Sequence, residues 1–177
     1  MKTLPLIAAA VCALSAFANS EQQARPRAAI PNPNIDVITH RKAVREATDL
    51  RESRRVTEER FMELATAPDT VILDARSESK YKLRHIKGAV NLPFTEFTAE
   101  NLAKVIPTKD TRVLIYCNNN FDGDKIAFAG EAAPAALNLS TFSNLVIYGY
   151  MNIYELGPAI NVNKARVPFE GTAVEGN

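Results

Sequence analysis

The hydrophobic positions of the chain fall into short apolar runs that alternate with stretches of helical spacing. Apolar runs of three or four residues that end at turn signals are typical of buried strands. We interpret five segments as strands, the first of them a short one: Val56, Val71–Leu73, Ala89–Leu92, Val113–Tyr116 and Ile153–Leu156.

Helices are predicted between these strands. Thr57 suits an N-cap, and Phe61 and Leu64 have the spacing of residues that face a core. The other predicted helices of this part span residues 77–84, residues 96–105, and a segment from Ser140 or Thr141 to about Tyr148. Because strands alternate with helices, the sequence predicts an α/β domain whose sheet is mostly parallel and covered by helices on both faces.

Residues 40–55 form one further predicted helix, with a narrow apolar stripe on an otherwise charged surface. We expect this helix to pack along the domain with its outer face in solvent. A helix that binds a protein partner is the alternative. Residues 161–177 are rich in polar side chains and are expected to fray as a C-terminal tail.

The first 18 residues have the pattern of a secretory signal peptide. Lys2 precedes an apolar run, and Ala16-Phe17-Ala18 fits a small-x-small cleavage site. Cleavage after Ala18 predicts a periplasmic or secreted protein with an extended polar leader at residues 19–39. No stretch of the mature chain is long and apolar enough to span a bilayer.

Charge and cysteine content narrow the possible functions. Without Lys2, 20 basic residues balance 20 acidic residues, which favours neither nucleic acid nor an anionic membrane as a partner. Without Cys12, Cys117 is the single cysteine, so an internal disulfide is excluded. Cys117 follows a predicted strand, at the end where open α/β sheets place their sites. It is either a nucleophile or a small buried apolar residue.

The two histidines, His40 and His85, are not accompanied by cysteines or acids at metal-ligand spacing. We therefore predict neither a metal site nor a cofactor.

Three segments resemble the motifs of one known family. They are Asp74-Ala75-Arg76 with the downstream stretch 85–93, the strand end Ile115-Tyr116-Cys117, and the segment 149–156. All three resemble rhodanese-like domains. The resemblance implies a single five-stranded α/β domain, which we assign to residues 56–160. It also implies a sulfurtransferase that moves sulfane sulfur through a persulfide on Cys117.

The first of these motifs has a mainly structural interpretation. Asp74 and Arg76 are expected to form a charge-assisted pair at a strand end. His85 is expected to hydrogen-bond local backbone, and Gly88 to serve a turn that a side chain would obstruct.

The loop after Cys117 departs from the family pattern, because it contains no arginine and its first cation is Lys125. Backbone amides of this loop are candidates for a ring that binds an anionic sulfur donor and a persulfide. The candidate residues are Asn118, Asn119, Asn120, Phe121, Asp122 and Gly123. Asp122 and Asp124 would raise the pKa of the thiol, and Lys125 is the candidate for electrostatic support.

Three functions follow from these observations. An exported sulfurtransferase would act on a small sulfur-containing anion, or on a persulfide donor and acceptor. A non-catalytic rhodanese-like module would bind a partner or a small anion, and the altered loop and the charged helix predicted at residues 40–55 are the features that favour it. A phosphatase or arsenate reductase of related fold is disfavoured, because Gly123 lies where an arginine would clamp the oxyanion and Tyr116 replaces the usual histidine.

Overall fold

The computed structural model of the protein describes residues 30–175, so the predicted signal peptide with Cys12 lies outside the described residues. From residue 36 onward the chain forms one unit. The described strands are β1 (Arg55–Val56), β2 (Thr70–Asp74), β3 (His85–Ile86), β4 (Val90–Asn91), β5 (Arg112–Tyr116), β6 (Phe121–Asp122), β7 (Ile153–Leu156), β8 (Ile160–Asn161) and β9 (Phe169–Glu170). The described helices are α1 (Val37–Glu52), α2 (Glu58–Ala65), α3 (Glu78–Leu83), α4 (Ala99–Val105), α5 (Leu137–Ile147) and α6 (Thr172–Glu175).

Five of these strands form one sheet in the order β1–β7–β5–β2–β4, and every neighbouring pair is parallel. The central strand β5 pairs along its whole length with β2, from Thr70 opposite Arg112 to Asp74 opposite Tyr116. Parallel neighbours require crossover connections, and α2, α3, α4 and α5 lie in the four crossovers. The predicted parallel sheet is confirmed.

An apolar cluster covers each face of the sheet, because side chains alternate along a strand. On one face, Tyr116 of β5 lies in a cluster with Phe61 of α2. On the opposite face, Ile115 lies in a cluster with Ala47 of α1 and Phe142 of α5. The predicted placement of helices on both faces is therefore confirmed.

Helix α1 begins and ends earlier than the predicted range 40–55. Its N-terminus is set by Asp36, whose carboxylate accepts a hydrogen bond from the Thr39 N–H at 2.9 Å. Its buried residue is Ala47, within the predicted apolar stripe, so the helix packs along the domain. The helix ends at Glu52, and strand β1 begins at Arg55.

The expectation that the polar C-terminal segment frays is wrong for its described part. Strand β9 pairs antiparallel with β3, and β8 pairs parallel with β6. Val162 and Val167 are buried in the cluster that contains Tyr116. The pattern-based prediction failed because a few apolar residues scattered among polar ones, Val162, Val167 and Phe169, pack on the core and anchor the segment.

Within residues 30–175, no helix combines the length and the apolar character that crossing a bilayer requires.

Candidate active site

Cys117 directly follows β5, and the residue is only 1% exposed. Its extended backbone (φ −145°, ψ −172°) continues the alternation of the strand, so its sulfur faces the same side as Val113 and Ile115. Helices α1 and α5 cover that side. The candidate nucleophile is thus a buried thiol at the carboxyl end of the central strand.

The N-terminal end of α5 lies against this thiol. Burial raises the pKa of Cys117 above its usual value, while hydrogen bonds from the backbone N–H groups of Asn138 and Asn119 act in the opposite direction. Asn138 is the second residue of α5, where the helix carries a partial positive charge. The protein therefore supplies backbone donors to a thiolate or a persulfide without a side-chain cation in the loop.

Helix α5 begins at Leu137, upstream of the predicted start at Ser140 or Thr141. Ala136 at the N-cap position has no side-chain acceptor, and the carboxylate of Glu131 accepts the Leu137 N–H instead, at 2.7 Å. The sequence rule that expects Ser or Thr at the N-cap position does not identify a capping carboxylate six residues upstream. The same carboxylate raises the pKa of Cys117 by its charge.

The side chain of Asn120 hydrogen-bonds the turn after Cys117 to helix α5 and to the end of strand β7. Its Oδ1 accepts hydrogen bonds from the Cys117 N–H at 2.8 Å and from the Asn138 side chain at 3.1 Å. Its Nδ2 donates to the carbonyl oxygens of Leu156 at 2.7 Å and Pro158 at 3.2 Å. The Asn120 side chain therefore fixes the position of Cys117, and its amide is already engaged.

Asn119 and Asn118 have different surroundings from Asn120. The Asn119 side chain donates to the Glu131 carbonyl oxygen at 2.9 Å and accepts from the Glu131 N–H at 2.8 Å. These two bonds hold the segment that precedes α5 against the turn. The Oδ1 atom of the buried Asn118 has no hydrogen-bond partner among the described residues.

The other three residues of the predicted loop lead away from the sulfur. Phe121 packs with Phe128 and Phe169 in the cluster on the opposite face of the sheet. Asp122 is exposed and pairs with β8. Gly123 has φ +86°, and a Cβ there would lie 2.9 Å from the side chain of Asn161. The structure thus places Asn118–Asn120 beside Cys117, whereas Phe121 and Asp122 form the separate strand β6 and Gly123 follows it.

Asp124 and Lys125 do not form a charged pair beside the cysteine. Asp124 binds Arg84 at 3.1 Å and accepts the Ala127 N–H at 3.0 Å. Lys125 is exposed. Asp124 therefore has a structural role in its own turn, and the carboxylates that raise the pKa of Cys117 are Glu131 and Glu155.

Sequence reasoning missed Glu155 and its partner Arg51. Arg51 of α1 donates to Glu155 through Nε at 2.5 Å and through Nη2 at 2.6 Å. The available signal was the acid itself, because a single carboxylate in an otherwise apolar buried strand requires a partner. The partner could not be identified from spacing.

Asp74 and Arg76 form a buried ion pair on the opposite face of the sheet. Arg76 Nη2 donates to Asp74 at 2.6 Å, and the Tyr116 hydroxyl donates to the same carboxylate at 2.5 Å. Arg76 also donates to the carbonyl oxygens of Ala127 at 3.0 Å and Arg84 at 2.8 Å. The pair therefore connects three segments of backbone.

His85 and Gly88 lie in the connection from α3 to β4. The Nδ1 atom of His85 is 2.8 Å from the Tyr81 carbonyl oxygen, and its ring stacks on that of Tyr81. Gly88 has φ +80°, with open space where a Cβ would lie. Glycine is required there for its backbone conformation rather than for lack of room.

A cleft of about 370 Å³ opens beside Asn118 at the carboxyl ends of β2 and β4. Its walls include Ser77, Phe94, Glu131 and Leu137. Two of its wall residues, Asn118 and Glu131, flank the cysteine, so this cleft is the candidate entrance for a small ligand. In the described part of the chain, no three His, Cys, Asp or Glu residues are grouped to hold a metal ion.

A family model described as "Rhodanese-like domain" matches residues 57–156. Among curated proteins, thiosulfate sulfurtransferase PspE of Escherichia coli (strain K12) is 37% identical over 46 residues, which are 26% of this chain and 43% of that protein. The chain therefore matches less than half the length of this relative.

The fold is also similar to that of solved structures. The BH2092 protein of Bacillus halodurans is 17% identical with a TM-score of 0.50, over 80% of this chain and 88% of that chain. A structure described as rhodanese with anions from E. coli is 23% identical with a TM-score of 0.38, over 58% of this chain and 98% of that chain. At these identities the first similarity concerns the fold alone.

Proposed function

Because the chain belongs to the rhodanese-like domain family, we propose that it is an exported sulfurtransferase that carries sulfane sulfur as a persulfide on Cys117. The observation that carries the proposal is the environment of this sulfur. Cys117 is the single cysteine among residues 30–175, and the backbone N–H groups of Asn119 and Asn138 converge on it. Such donors suit a site where negative charge must be held on sulfur.

The reaction has two steps in this proposal. The Cys117 thiolate attacks the outer sulfur of a donor such as thiosulfate, a new S–S bond forms, and sulfite leaves with the electron pair of the broken S–S bond. An acceptor such as cyanide then attacks the outer sulfur of the persulfide and releases the thiolate. Each preorganised N–H donor is expected to lower the barrier by about 3 kcal/mol.

Transfer of sulfur from thiosulfate to cyanide tests this proposal. The protein is expected to form thiocyanate, and Cys117→Ser, which nearly preserves the volume of the side chain, is expected to form none. Equal activity of the two proteins would show that Cys117 is not the nucleophile.

A non-catalytic binding module is the second candidate, and the burial of the thiol favours it. Cys117 is covered, its pKa is raised by burial, and the Glu131 carboxylate already occupies the N-terminal end of α5. The cleft beside Asn118 would then bind a small anion, and the exposed charged face of α1 would bind a protein partner. The absence of any persulfide after treatment with thiosulfate and with a persulfide donor would favour this second function.

Export is proposed from the signal-peptide pattern of residues 1–18. N-terminal sequencing of the protein from expressing cells should find Asn19 as the first residue, in the periplasmic or secreted fraction. A protein that starts at Met1 and remains in the cytosolic fraction would contradict this proposal.

A further inference from the structure

Helix α1 brings a cation to the side of the sheet that carries Cys117. Arg51 binds both carboxylate oxygens of Glu155, at 2.5 Å and 2.6 Å. The side chain of Glu155 is 4% exposed and that of Arg51 is 18% exposed, so the contact is largely shielded from water. Bidentate guanidinium–carboxylate contacts combine strength with a fixed geometry.

The strand register places this ion pair next to the candidate nucleophile. Glu155 of β7 lies opposite Ile115 of β5, and Ile115 precedes Cys117 by two residues on the same face. From the spacing and rise of parallel strands, the Cα atoms of Glu155 and Cys117 are about 8 Å apart. Charges at such a separation in a shielded environment interact appreciably.

The charged groups around Cys117 come from three elements. Glu131 precedes α5, Glu155 belongs to β7, and Arg51 belongs to α1. On α1, Glu52 lies 3.8 Å from Arg51, and His40 lines the groove beside Arg51. Burial raises the pKa of Cys117, and the two backbone hydrogen bonds lower it. The charges of the two carboxylates, Glu131 and Glu155, also raise it, with smaller effects. The pKa of Arg51 is raised first by its hydrogen bonds to Glu155, against the opposing effect of burial, and in smaller part by the charges of Glu155, Glu52 and Cys117.

We propose that Arg51 and Glu155 are positioning residues of the active site, in which Arg51 neutralises Glu155 and thereby shields the Cys117 thiolate from a buried negative charge. This inference rests on the proposed function, because it assigns the pair a role in ionising the nucleophile. Helix α1 lies outside the matched segment 57–156. The active site of this protein therefore extends beyond the family domain.

Titration of the Cys117 thiolate by ultraviolet absorbance tests the inference, with full-length Cys117→Ser as the blank. Glu155→Gln removes a negative charge and is expected to raise the thiolate fraction at neutral pH by about fivefold, whereas Arg51→Gln lowers it by about as much. Arg51→Gln/Glu155→Gln should titrate close to the wild type, since both charges are gone. Arg45→Gln, an exposed arginine on the same helix, is the matched control and should not change the titration.

If Glu155→Gln and Arg51→Gln both titrate like the wild type, the pair is a packing contact and the inference is overturned. Arg51→Lys retains the charge and should titrate like the wild type. If Arg51→Gln does not fold, that result together with the shift in Glu155→Gln supports the inference. The thiosulfate–cyanide assay separates this inference from the proposed function. A wild-type protein that transfers no sulfur contradicts the function even where the titration shifts are present.

Discussion

Two buried ion pairs lie on opposite faces of the sheet, and the chain builds them in different ways. Asp74 and Arg76 are two residues apart, and their side chains are at most 1% exposed. Arg51 and Glu155 are 104 residues apart, and Arg51 retains some contact with solvent. The local pair fixes backbone segments, whereas the distant pair lies on the face that carries Cys117. The comparison indicates that the proposed nucleophile and the most deeply buried ion pair lie on opposite faces of the sheet.

The largest expected effect is a difference in how much each ion pair contributes to the free energy of unfolding. Arg76→Gln leaves the Asp74 carboxylate buried without its partner, and a loss of about 3–5 kcal/mol in the free energy of unfolding is expected. Arg51→Gln should lose less, because water can reach the position of Arg51. Denaturant unfolding of both variants measures the difference. Equal losses would contradict the assignment of distinct roles.

Asn120→Ala is expected to have the next largest effect. The substitution removes four side-chain hydrogen bonds that connect Cys117, α5 and the end of β7. At about 1 kcal/mol for each bond, the loss in the free energy of unfolding should be about 3–4 kcal/mol. Asn118→Ala serves as the control in the same turn, since the Oδ1 of Asn118 has no partner in the described part of the chain. Similar stability of the two variants would refute the conclusion that the hydrogen bonds of Asn120 stabilise the turn after Cys117.

These two regions also show how far the sequence could predict the structure. The parallel sheet, its helices and the position of Cys117 follow from apolar runs and helical spacing, which act locally. The association of Asp74 with Arg76 was predictable because both belong to one motif. Arg51 and Glu155 were not paired in advance, because no local rule connects residues so far apart.

The start of α5 could not be predicted for a related reason. Its cap is the carboxylate of Glu131, which reaches Leu137 from an irregular segment. That segment is held by Asn119, whose side chain hydrogen-bonds to Glu131, whereas the sequence predicted only that the backbone amide of Asn119 would belong to an anion-binding ring. The donors around Cys117 therefore depend on contacts that appear only once the chain is folded.

Glu131→Gln should change reactivity more than stability. Glu131 is exposed, but its charge raises the pKa of Cys117. The neutral amide should therefore shift the pH profile of thiol alkylation to lower pH while its oxygen still accepts the Leu137 N–H. Glu46→Gln, on the exposed side of α1, is the control carboxylate. An unchanged profile in Glu131→Gln would show that its charge does not act on the sulfur.

The smallest expected effect is a pH dependence of stability. The pKa of Cys117 is raised in the folded protein by burial, so the unfolded chain loses its thiol proton first as the pH rises. Stability should therefore begin to fall near the ordinary thiol pKa of about 8.5 and continue to fall until the pH exceeds the raised value. Cys117→Ser should lack this component. Parallel curves of unfolding free energy against pH for the two proteins would contradict a raised pKa.

Intact-protein mass spectrometry after incubation with thiosulfate tests the central claim most directly. The account predicts that the protein gains one sulfur atom on Cys117, that cyanide removes this atom as thiocyanate, and that Cys117→Ser gains none. A wild-type protein that gains no sulfur, or a Cys117→Ser variant that gains as much as the wild type, would contradict the account.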